Sequence, residues 1–271
     1  PIPRDALLFP TPHALIRQRV SSRSAETPTN GDGFGVGWYN RAGKPGMYRS
    51  TRPAWNDFNL HDLAEQIESS LFLAHVRATS QATVQETNCH PFRAGRWLFV
   101  HNGEIFEIEK LRRDLLFAVA PEWFPNILGS TDSELMFHLA LTYGLESDPL
   151  GALQRMAGVV ERVGRAHGVE ESLWMTVAAT DGRRLYAVRY ASDGEAPTLY
   201  HSKNMDDVYA INPALHGLLG PSTRAVVSEP VGRFAEMWVA VPQNTSLEIA
   251  GEELTLREFR PEDGGGLRRG A

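Results

Sequence analysis

Three places in the sequence carry side chains suited to holding a free amino acid. Arg77 ends the apolar run of residues 71–76, and its guanidinium could grip a carboxylate through two parallel hydrogen bonds. Asp132 offers a carboxylate to an ammonium group. Asn102 and Gly103 could supply a side-chain N–H and a backbone N–H to an oxyanion. Together these groups match the carboxylate, the ammonium and the side-chain carbonyl of one amino acid.

Each of these residues also has a plainer interpretation. An arginine after a strand is commonly a surface charge. An acidic residue such as Asp132 suits the first turn of a helix, where the helix dipole favours negative charge. The pair Asn102-Gly103 is typical of a turn that follows a strand. The fit of all four residues to one ligand, rather than any one of them, favours a binding site.

A glycine-rich stretch, residues 30–37, is a further candidate. It lacks the third glycine of a dinucleotide-binding fingerprint and the lysine of a P-loop. Its glycines alternate with other residues and run into Trp38 and Tyr39. That pattern indicates a turn leading into a strand, where another backbone or a ligand comes close. A structural turn and a wall of the site are both open interpretations.

Periodicity predicts the elements that must position these residues. Apolar runs predict buried strands at residues 71–76 and 97–100. Spacings of three and four predict three helices. Their apolar positions are Leu60, Leu63, Ala64 and Ile67, then Leu135, Met136, Leu139 and Tyr143, then Leu153, Met156, Val160 and Val163. The second helix has the start of a capping box, because Glu134 follows Thr131 by three residues.

The second half of the chain is rich in strand patterns. Residues 174–180 and 185–190 flank Asp181-Gly182, a hairpin signal. The remaining predicted strands are residues 198–200, 208–211, 225–227, 237–241, 246–249 and 253–256, of which the last two could pair with each other. These elements predict an α+β fold in which helices cover two antiparallel sheets. We expect a single domain over residues 1–260 and a mobile tail over residues 261–271.

Composition and charge argue against several classes of function. A net charge of -6 and a pI near 5.9 disfavour a nucleic-acid partner, since such proteins usually present a basic face. No apolar run approaches the roughly 18 residues of a membrane span, and no signal peptide opens the chain. The single cysteine, Cys89, excludes an internal disulfide, and no zinc-site spacing occurs. We therefore expect a cytoplasmic protein that needs no metal, no cofactor and no membrane.

Four motifs, in order, resemble those of the class II glutamine amidotransferases. They are His-Val-Arg at residues 75–77, Asn-Cys-His-Pro-Phe at 88–92, His-Asn-Gly at 101–103 and Ser-Thr-Asp-Ser-Glu at 130–134. The resemblance covers nearly the whole chain. It is closest to stand-alone members, such as the amidotransferase-like subunit of the fungal glutathione-degradation complex and its bacterial relatives. That likeness implies hydrolysis, or a separate protein partner such as a peptidase or a synthase.

The resemblance also implies a fold and a set of roles. The fold is the four-layer αββα sandwich of the N-terminal-nucleophile (Ntn) hydrolases, and the substrate is glutamine or a γ-glutamyl peptide such as glutathione. Arg77 would bind the α-carboxylate and Asp132 the α-ammonium, while Asn102 and Gly103 would stabilise the oxyanion. Ser80 and His90 are further candidates for the substrate pocket. Asn30 stands where some fused members place a catalytic arginine, which puts ammonia channelling in doubt.

Members of this family attack the γ-carbonyl with an N-terminal cysteine, which forms a γ-glutamyl thioester. This sequence begins with Pro1, and its one cysteine is Cys89. Two explanations are open: the true terminus lies upstream of Pro1, or the protein binds γ-glutamyl compounds without cleaving them. The presence of the ligand-binding residues favours the first. Cys89 is adjacent to His90, but neighbours in an extended segment point to opposite sides, so we expect a buried and unreactive thiol.

Overall fold

The computed structural model describes residues 31–77, 83–217, 219–231 and 234–262. Their β-strands, in chain order, are β1 (Phe34–Tyr39), β2 (Pro45–Ser50), β3 (Phe72–Val76), β4 (Phe92–Ala94), β5 (Trp97–Ile105), β6 (Leu173–Thr180), β7 (Arg184–Ala191), β8 (Tyr200–Ser202), β9 (Val226–Val227), β10 (Trp238–Ala240), β11 (Thr245–Ala250) and β12 (Glu253–Glu258). The α-helices are α1 (Phe58–Gln66), α2 (Ile108–Phe117), α3 (Asp132–Thr142), α4 (Pro149–Ala166) and α5 (Met205–Ile211).

The strands form two main antiparallel sheets and a third, smaller one. The large sheet has the order β12-β11-β7-β6-β5-β4, and a second sheet has the order β2-β1-β3. The third, β10-β8-β9, is made of strands of two or three residues. The hairpin predicted at Asp181-Gly182 and the pairing predicted between residues 246–249 and 253–256 are confirmed, because β6 pairs with β7 and β11 with β12.

Three clusters of buried side chains lie between the four layers of the molecule. Leu60 of α1 packs against Phe34 and Val36 on one face of the β1 sheet. Leu73 of β3 and Leu98 of β5 lie in a cluster between the two main sheets. The largest cluster joins the far face of the large sheet to helices α2, α3 and α4. The order helix, sheet, sheet, helix confirms the αββα architecture.

Alternation along β5 sends its side chains to two different layers. Trp97, Phe99 and Ile105 join the cluster under the helices, whereas Leu98 lies in the cluster between the sheets. Successive residues of a strand point to opposite faces. Asn102 therefore shares the face of Leu98, which looks toward the β1 sheet.

The glycines of β1 let another segment of chain lie directly on the strand. A Cβ atom on Gly35 would come within 2.1 Å of the His90 carbonyl oxygen, and one on Gly37 within 2.8 Å of the Pro91 ring. Only a residue without a side chain allows such an approach. The close backbone contact predicted for this stretch is thus confirmed, and it places His90 against β1.

Three local predictions differ from the structure. Residues 208–211, predicted as a strand, lie in α5, whose start is capped by Asn204 through the Asp207 N–H at 2.8 Å. Asn102 and Gly103, which resembled a turn, lie inside β5, because its pairing with β6 continues to Ile105. The strand predicted at residues 198–200 is β8, two residues further along.

Some predictions fall outside the described residues. Ser80, Asn30, Pro1 and residues 263–271 of the tail belong to this group. The domain bounds 1–260 stay a prediction. Among the residues that the structure describes, no helix is both long and apolar enough to cross a membrane.

Candidate active site

Five of the six predicted site residues line one cavity. They are Arg77, His90, Asn102, Gly103 and Asp132. The residues come from the end of β3, the segment before β4, the middle of β5 and the start of α3. Ser80, the sixth, lies outside the described part of the chain. The fold therefore brings together groups that are up to 55 positions apart in sequence, from 77 to 132.

Arg77 is a buried residue rather than a surface charge. Only 5% of its surface is exposed. Its backbone N–H donates to the Gly33 carbonyl at 2.8 Å, and its own carbonyl accepts from the Asp32 N–H at 3.1 Å. These two bonds fix the end of β3 to the chain that enters β1. A carboxylate that meets this guanidinium would be shielded from water, which strengthens a charge-assisted pair.

The side chain of Asn102 is held from the opposite sheet. A hydrogen bond of 2.8 Å joins its Oδ1 to Nε2 of His75 on β3. Because Oδ1 only accepts, the histidine nitrogen is the donor. The amide nitrogen of Asn102 lies in the same plane on the other side of Cγ, and it is therefore directed away from His75. Its two N–H groups are left to serve as donors in the cavity.

Gly103 occupies a position that no other residue could take without strain. Its φ is +135°, and a Cβ atom would stand 2.2 Å from the Trp174 carbonyl oxygen and 2.8 Å from Nε2 of His101. Residues with side chains avoid positive φ, and the backbone oxygen of β6 has little freedom to move. The geometry of β5 at the candidate oxyanion donors therefore depends on glycine.

Asp132 is oriented by backbone donors at the start of α3. Its Oδ2 accepts from the Ile105 N–H at 2.8 Å, and its Oδ1 accepts from the Ser133 N–H at 2.8 Å. An ionised carboxylate has about four acceptor positions, so capacity remains for an ammonium group. Asp132 thus combines the helix-start position with an orientation that faces the cavity.

Asn88 and Glu134 hold the loop that precedes Asp132. The Ser130 N–H donates to Oδ1 of Asn88 at 2.8 Å, and the fully buried Asn88 amide donates to the Thr83 carbonyl at 2.8 Å. The Glu134 carboxylate accepts from the N–H groups of Leu128 and Gly129 at 3.0 and 2.6 Å. One half of the predicted capping box is confirmed, because the Glu134 N–H donates to Oγ1 of Thr131 at 3.1 Å. The reverse half is wrong, because the Glu134 carboxylate binds this loop instead.

Three histidines at the site, one of them the predicted His90, are kept neutral by burial. Burial lowers the pKa of His75 to about 4 and that of His90 well below its ordinary value, with Arg77 contributing a smaller lowering to both. Burial also lowers the pKa of His101, although the nearby Asp132 charge partly opposes the shift. His101 bridges β5 and α3, since its Nδ1 lies 2.9 Å from Oγ of Ser133. These rings therefore add no positive charge beside Arg77 at neutral pH.

Cys89 is separate from this cluster of cavity-lining groups. Its side chain is fully buried, with Sγ 3.5 Å from the Ser50 carbonyl oxygen, and it does not line the cavity. Burial raises the pKa of its thiol, so the reactive thiolate is disfavoured. No group of three or more histidine, cysteine or acidic residues within the described ranges is arranged to hold a metal ion.

Sequence reasoning missed four residues that shape the site: His75, Asn88, His101 and Glu134. All four lie within the four motifs, but their roles depend on contacts across the fold. One signal was available for His75. His75 lies two residues after Leu73 on β3, and residues two apart point to the same face of a strand. Because Leu73 faces the large sheet, His75 is also directed toward β5.

Comparison with known sequences gives a consistent set of relatives. The sequence pattern of the class II glutamine amidotransferases matches residues 13–193. The chain is 33% identical over 301 aligned positions to the probable glutamine amidotransferase DUG3 of Saccharomyces cerevisiae, covering 97% of this chain and 84% of that protein. It is 28% identical over 187 positions to the γ-glutamyl-hercynylcysteine sulfoxide hydrolase of Mycolicibacterium smegmatis, covering 69% of this chain and 73% of the relative.

A solved structure agrees in fold and sequence. A glutamine aminotransferase class-II domain protein from Silicibacter pomeroyi superposes with a TM-score of 0.72 and is 40% identical, covering 84% of this chain and 92% of that one. The match supports an architecture that this chain shares with that protein.

Proposed function

Because this chain belongs to the class II glutamine amidotransferases, we propose that it is a hydrolase of γ-glutamyl amide bonds. The observation that carries the proposal is that Arg77, Asn102, Gly103 and Asp132 all line one cavity. These residues come from separate elements and match the polar groups of a γ-glutamyl compound. Because the histidines at the site are neutral, they do not compete with Arg77 for the carboxylate of the ligand.

In this proposal Arg77 and Asp132 bind the amino-acid end of the substrate. The buried guanidinium pairs with the α-carboxylate, and the carboxylate oriented by Ile105 and Ser133 accepts the α-ammonium. Both groups of the ligand lie far from the scissile bond. The α-carboxylate and the α-ammonium are shared by every γ-glutamyl compound. Arg77 and Asp132 therefore select the class of substrate without restricting its leaving group.

Asn102 and Gly103 act on the bond that breaks. An N-terminal cysteine thiol, which residues 1–271 do not include, attacks the γ-carbonyl carbon, and its proton passes to the α-amine of the same residue. The oxyanion that forms accepts hydrogen bonds from the Asn102 amide and the Gly103 N–H. The α-amine then gives this proton to the substrate nitrogen, the C–N bond breaks and the amine product leaves. Water hydrolyses the γ-glutamyl thioester to glutamate and regenerates the cysteine thiol.

We propose γ-glutamyl peptides such as glutathione as the substrate class. The Mycolicibacterium smegmatis relative supports this choice, since that protein is named as a hydrolase of a γ-glutamyl compound, γ-glutamyl-hercynylcysteine sulfoxide. A separate protein partner such as a peptidase, which would consume the released dipeptide, belongs to the same proposal. Glutamine is the alternative substrate, with ammonia as the leaving group.

The test is release of glutamate by the protein carrying its native N-terminus. Glutamine, glutathione and other γ-glutamyl dipeptides are compared, with α-glutamyl dipeptides as the matched negative control, and each is assayed with and without a peptidase partner. The proposal expects turnover of γ-glutamyl peptides only. Hydrolysis of glutamine alone would reduce the protein to a glutaminase. Binding without turnover would instead indicate a γ-glutamyl sensor or regulatory subunit.

A further inference from the structure

The hydrogen bond between His75 and Asn102 crosses the interface of the two main sheets. His75 lies on β3 and Asn102 on β5, and the two side chains meet at 2.8 Å between Nε2 and Oδ1. Both residues belong to the inner faces of their sheets, as Leu73 and Leu98 do. The bond therefore ties a candidate oxyanion donor to the sheet that also carries Arg77.

The orientation of the Asn102 amide decides whether it helps or harms catalysis. The two ends of a carboxamide have nearly the same shape, and rotation by about 180° exchanges a donor for an acceptor. An amide nitrogen directed at the developing negative charge stabilises it, whereas an amide oxygen in that place repels it. A donor bound to Oδ1 removes this ambiguity because it fixes the oxygen at the opposite end.

The protonation state of His75 makes its Nε2–H a hydrogen-bond donor to Asn102 across the physiological pH range. A neutral imidazole carries one ring proton, and the tautomer with that proton on Nε2 makes the bond to Asn102. Its buried Nδ1 has no hydrogen-bond partner among the described residues, so the other tautomer gains nothing there. Burial lowers the pKa of His75 to about 4, which keeps the ring in its neutral form through the physiological range.

The His75 ring packs against the His90 ring, which in turn packs against Phe92. The ring centroids of His75 and His90 lie 4.2 Å apart, and the His90 ring in turn meets Phe92 edge-on at 4.6 Å. Both nitrogens of His90 are buried without a hydrogen-bond partner in the described ranges. The contacts that the structure gives His90 are thus ring contacts, which support the orientation of His75.

We propose that His75 is a positioning residue that locks the Asn102 amide with its nitrogen toward the oxyanion, with the His90 ring as its support. This role rests on the proposed hydrolysis of γ-glutamyl amides. It predicts that replacing His75 lowers the rate of the chemical step and leaves the affinity for the amino-acid end of the substrate unchanged. The reason is that the contacts to the amino-acid end of the substrate come from Arg77 and Asp132, and not from His75.

The test is a double-mutant cycle in the enzyme with its native N-terminus. His75→Phe keeps a planar ring without a donor, and kcat should fall about 10- to 100-fold, up to the loss expected for an oxyanion donor. The dissociation constant for glutamate should stay within about twofold, since no contact to the amino-acid end is lost. His75→Gln, whose amide nitrogen reaches a similar place, should restore kcat to within about fivefold of the unsubstituted enzyme.

The second arm of the cycle uses the Asn102→Ala background. There His75→Phe should change kcat by less than about twofold, because its effect acts through the missing amide. An equal loss of rate in both backgrounds would overturn the positioning role and indicate a general structural effect. Should His75→Phe not fold, the shorter His75→Asn replaces it, with thermal unfolding as the check.

A spectroscopic measurement keeps the inference testable without turnover. Nitrogen-15 NMR of the unsubstituted protein should show His75 as the neutral tautomer protonated on Nε2 at neutral pH. A ring protonated on Nδ1 alone would overturn the proposal, because Oδ1 of Asn102 would then face a lone pair. If the unsubstituted enzyme turned over no γ-glutamyl amide, the proposed function would fail and the NMR result would still decide the orientation.

Discussion

The Asp132 carboxylate accepts a hydrogen bond from the Ile105 backbone N–H at 2.8 Å, which joins the first turn of α3 to the end of β5. One side chain therefore couples the helix that presents the candidate ammonium acceptor to the strand that presents the candidate oxyanion donors. The same carboxylate cannot be removed without loosening that junction. The effect of losing the negative charge can nevertheless be separated from the effect of losing the hydrogen bond, if the substitution is chosen accordingly.

Asp132→Asn and Asp132→Ala should differ in stability but agree in binding. Both remove the negative charge, so affinity for glutamate should fall about 10- to 100-fold. Asp132→Asn retains an oxygen that can accept from Ile105, whereas Asp132→Ala leaves that N–H without a partner at a cost of about 1–3 kcal/mol. Calorimetric titration with glutamate and urea unfolding measure the two effects. Equal affinity in the unsubstituted protein and Asp132→Asn would remove Asp132 from the binding site.

Arg77→Ala should weaken glutamate binding by about 2–4 kcal/mol, which is roughly 30-fold or more in the dissociation constant. The physical reason is the loss of a charge-assisted pair inside a buried site. Arg93→Ala is the matched control, because Arg93 is exposed on β4 and, within the described residues, its side chain makes a long hydrogen bond of 3.4 Å to the Pro45 carbonyl. Its dissociation constant should stay within about twofold. A similar loss in both variants would point to net charge rather than to a site.

Gly103→Ala should destabilise the protein more than Gly168→Ala does. Both glycines have positive φ, of +135° and +77°, but an added Cβ at Gly168 meets no atom within 4 Å. The control should cost about 1–2 kcal/mol for backbone strain alone, and Gly103→Ala should cost about 1–3 kcal/mol more for the clash with Trp174. Urea unfolding compares the two. Equal losses would mean that β6 moves away readily and that the close packing at Gly103 is unimportant.

Sequence reasoning reached the parts of this fold that local patterns encode. The β6–β7 hairpin follows from two strand runs around Asp181-Gly182, and α3 follows from its apolar spacing and the Thr131 cap. Arg77 and Asp132 were found because their charges complement one ligand. The apolar run of residues 208–211 predicts a strand, but so short a run fits either element. The Asn204 cap and the acidic first turn favour the helix that forms.

The remaining features depend on contacts between distant residues. The pairing of His75 with Asn102 spans 27 positions and needs both sheets to be stacked in register. Asn88 reaches Ser130 across 42 positions, and the Glu134 carboxylate turns to Leu128 and Gly129 instead of back to Thr131. No local pattern states which backbone donors a carboxylate or an amide will meet. These choices are set by tertiary packing.

Stability should fall as the pH drops below about 6.5, the ordinary histidine pKa. His75 has a folded pKa of about 4, and His90 and His101 are also lowered by burial, so the unfolded chain binds more protons in this window. The stabilisation is full above about pH 6.5 and is lost as the pH falls, by up to about 1.4 kcal/mol per pH unit for each ring. His90→Phe should reduce proton uptake on unfolding at pH 5 by about one. An unchanged uptake would contradict neutral burial of His90.

The central claim is that a γ-glutamyl group is transferred to an N-terminal cysteine beside Arg77 and Asn102, and not to Cys89. A glutamine-derived diazoketone, which alkylates the nucleophile of a γ-glutamyl site, tests it in protein with its native N-terminus. Intact mass followed by peptide mapping should show one adduct, on the N-terminal residue, which excess glutamate prevents and Cys89→Ser leaves unchanged. No adduct, or an adduct on Cys89 that the Cys89→Ser substitution abolishes, would contradict the account.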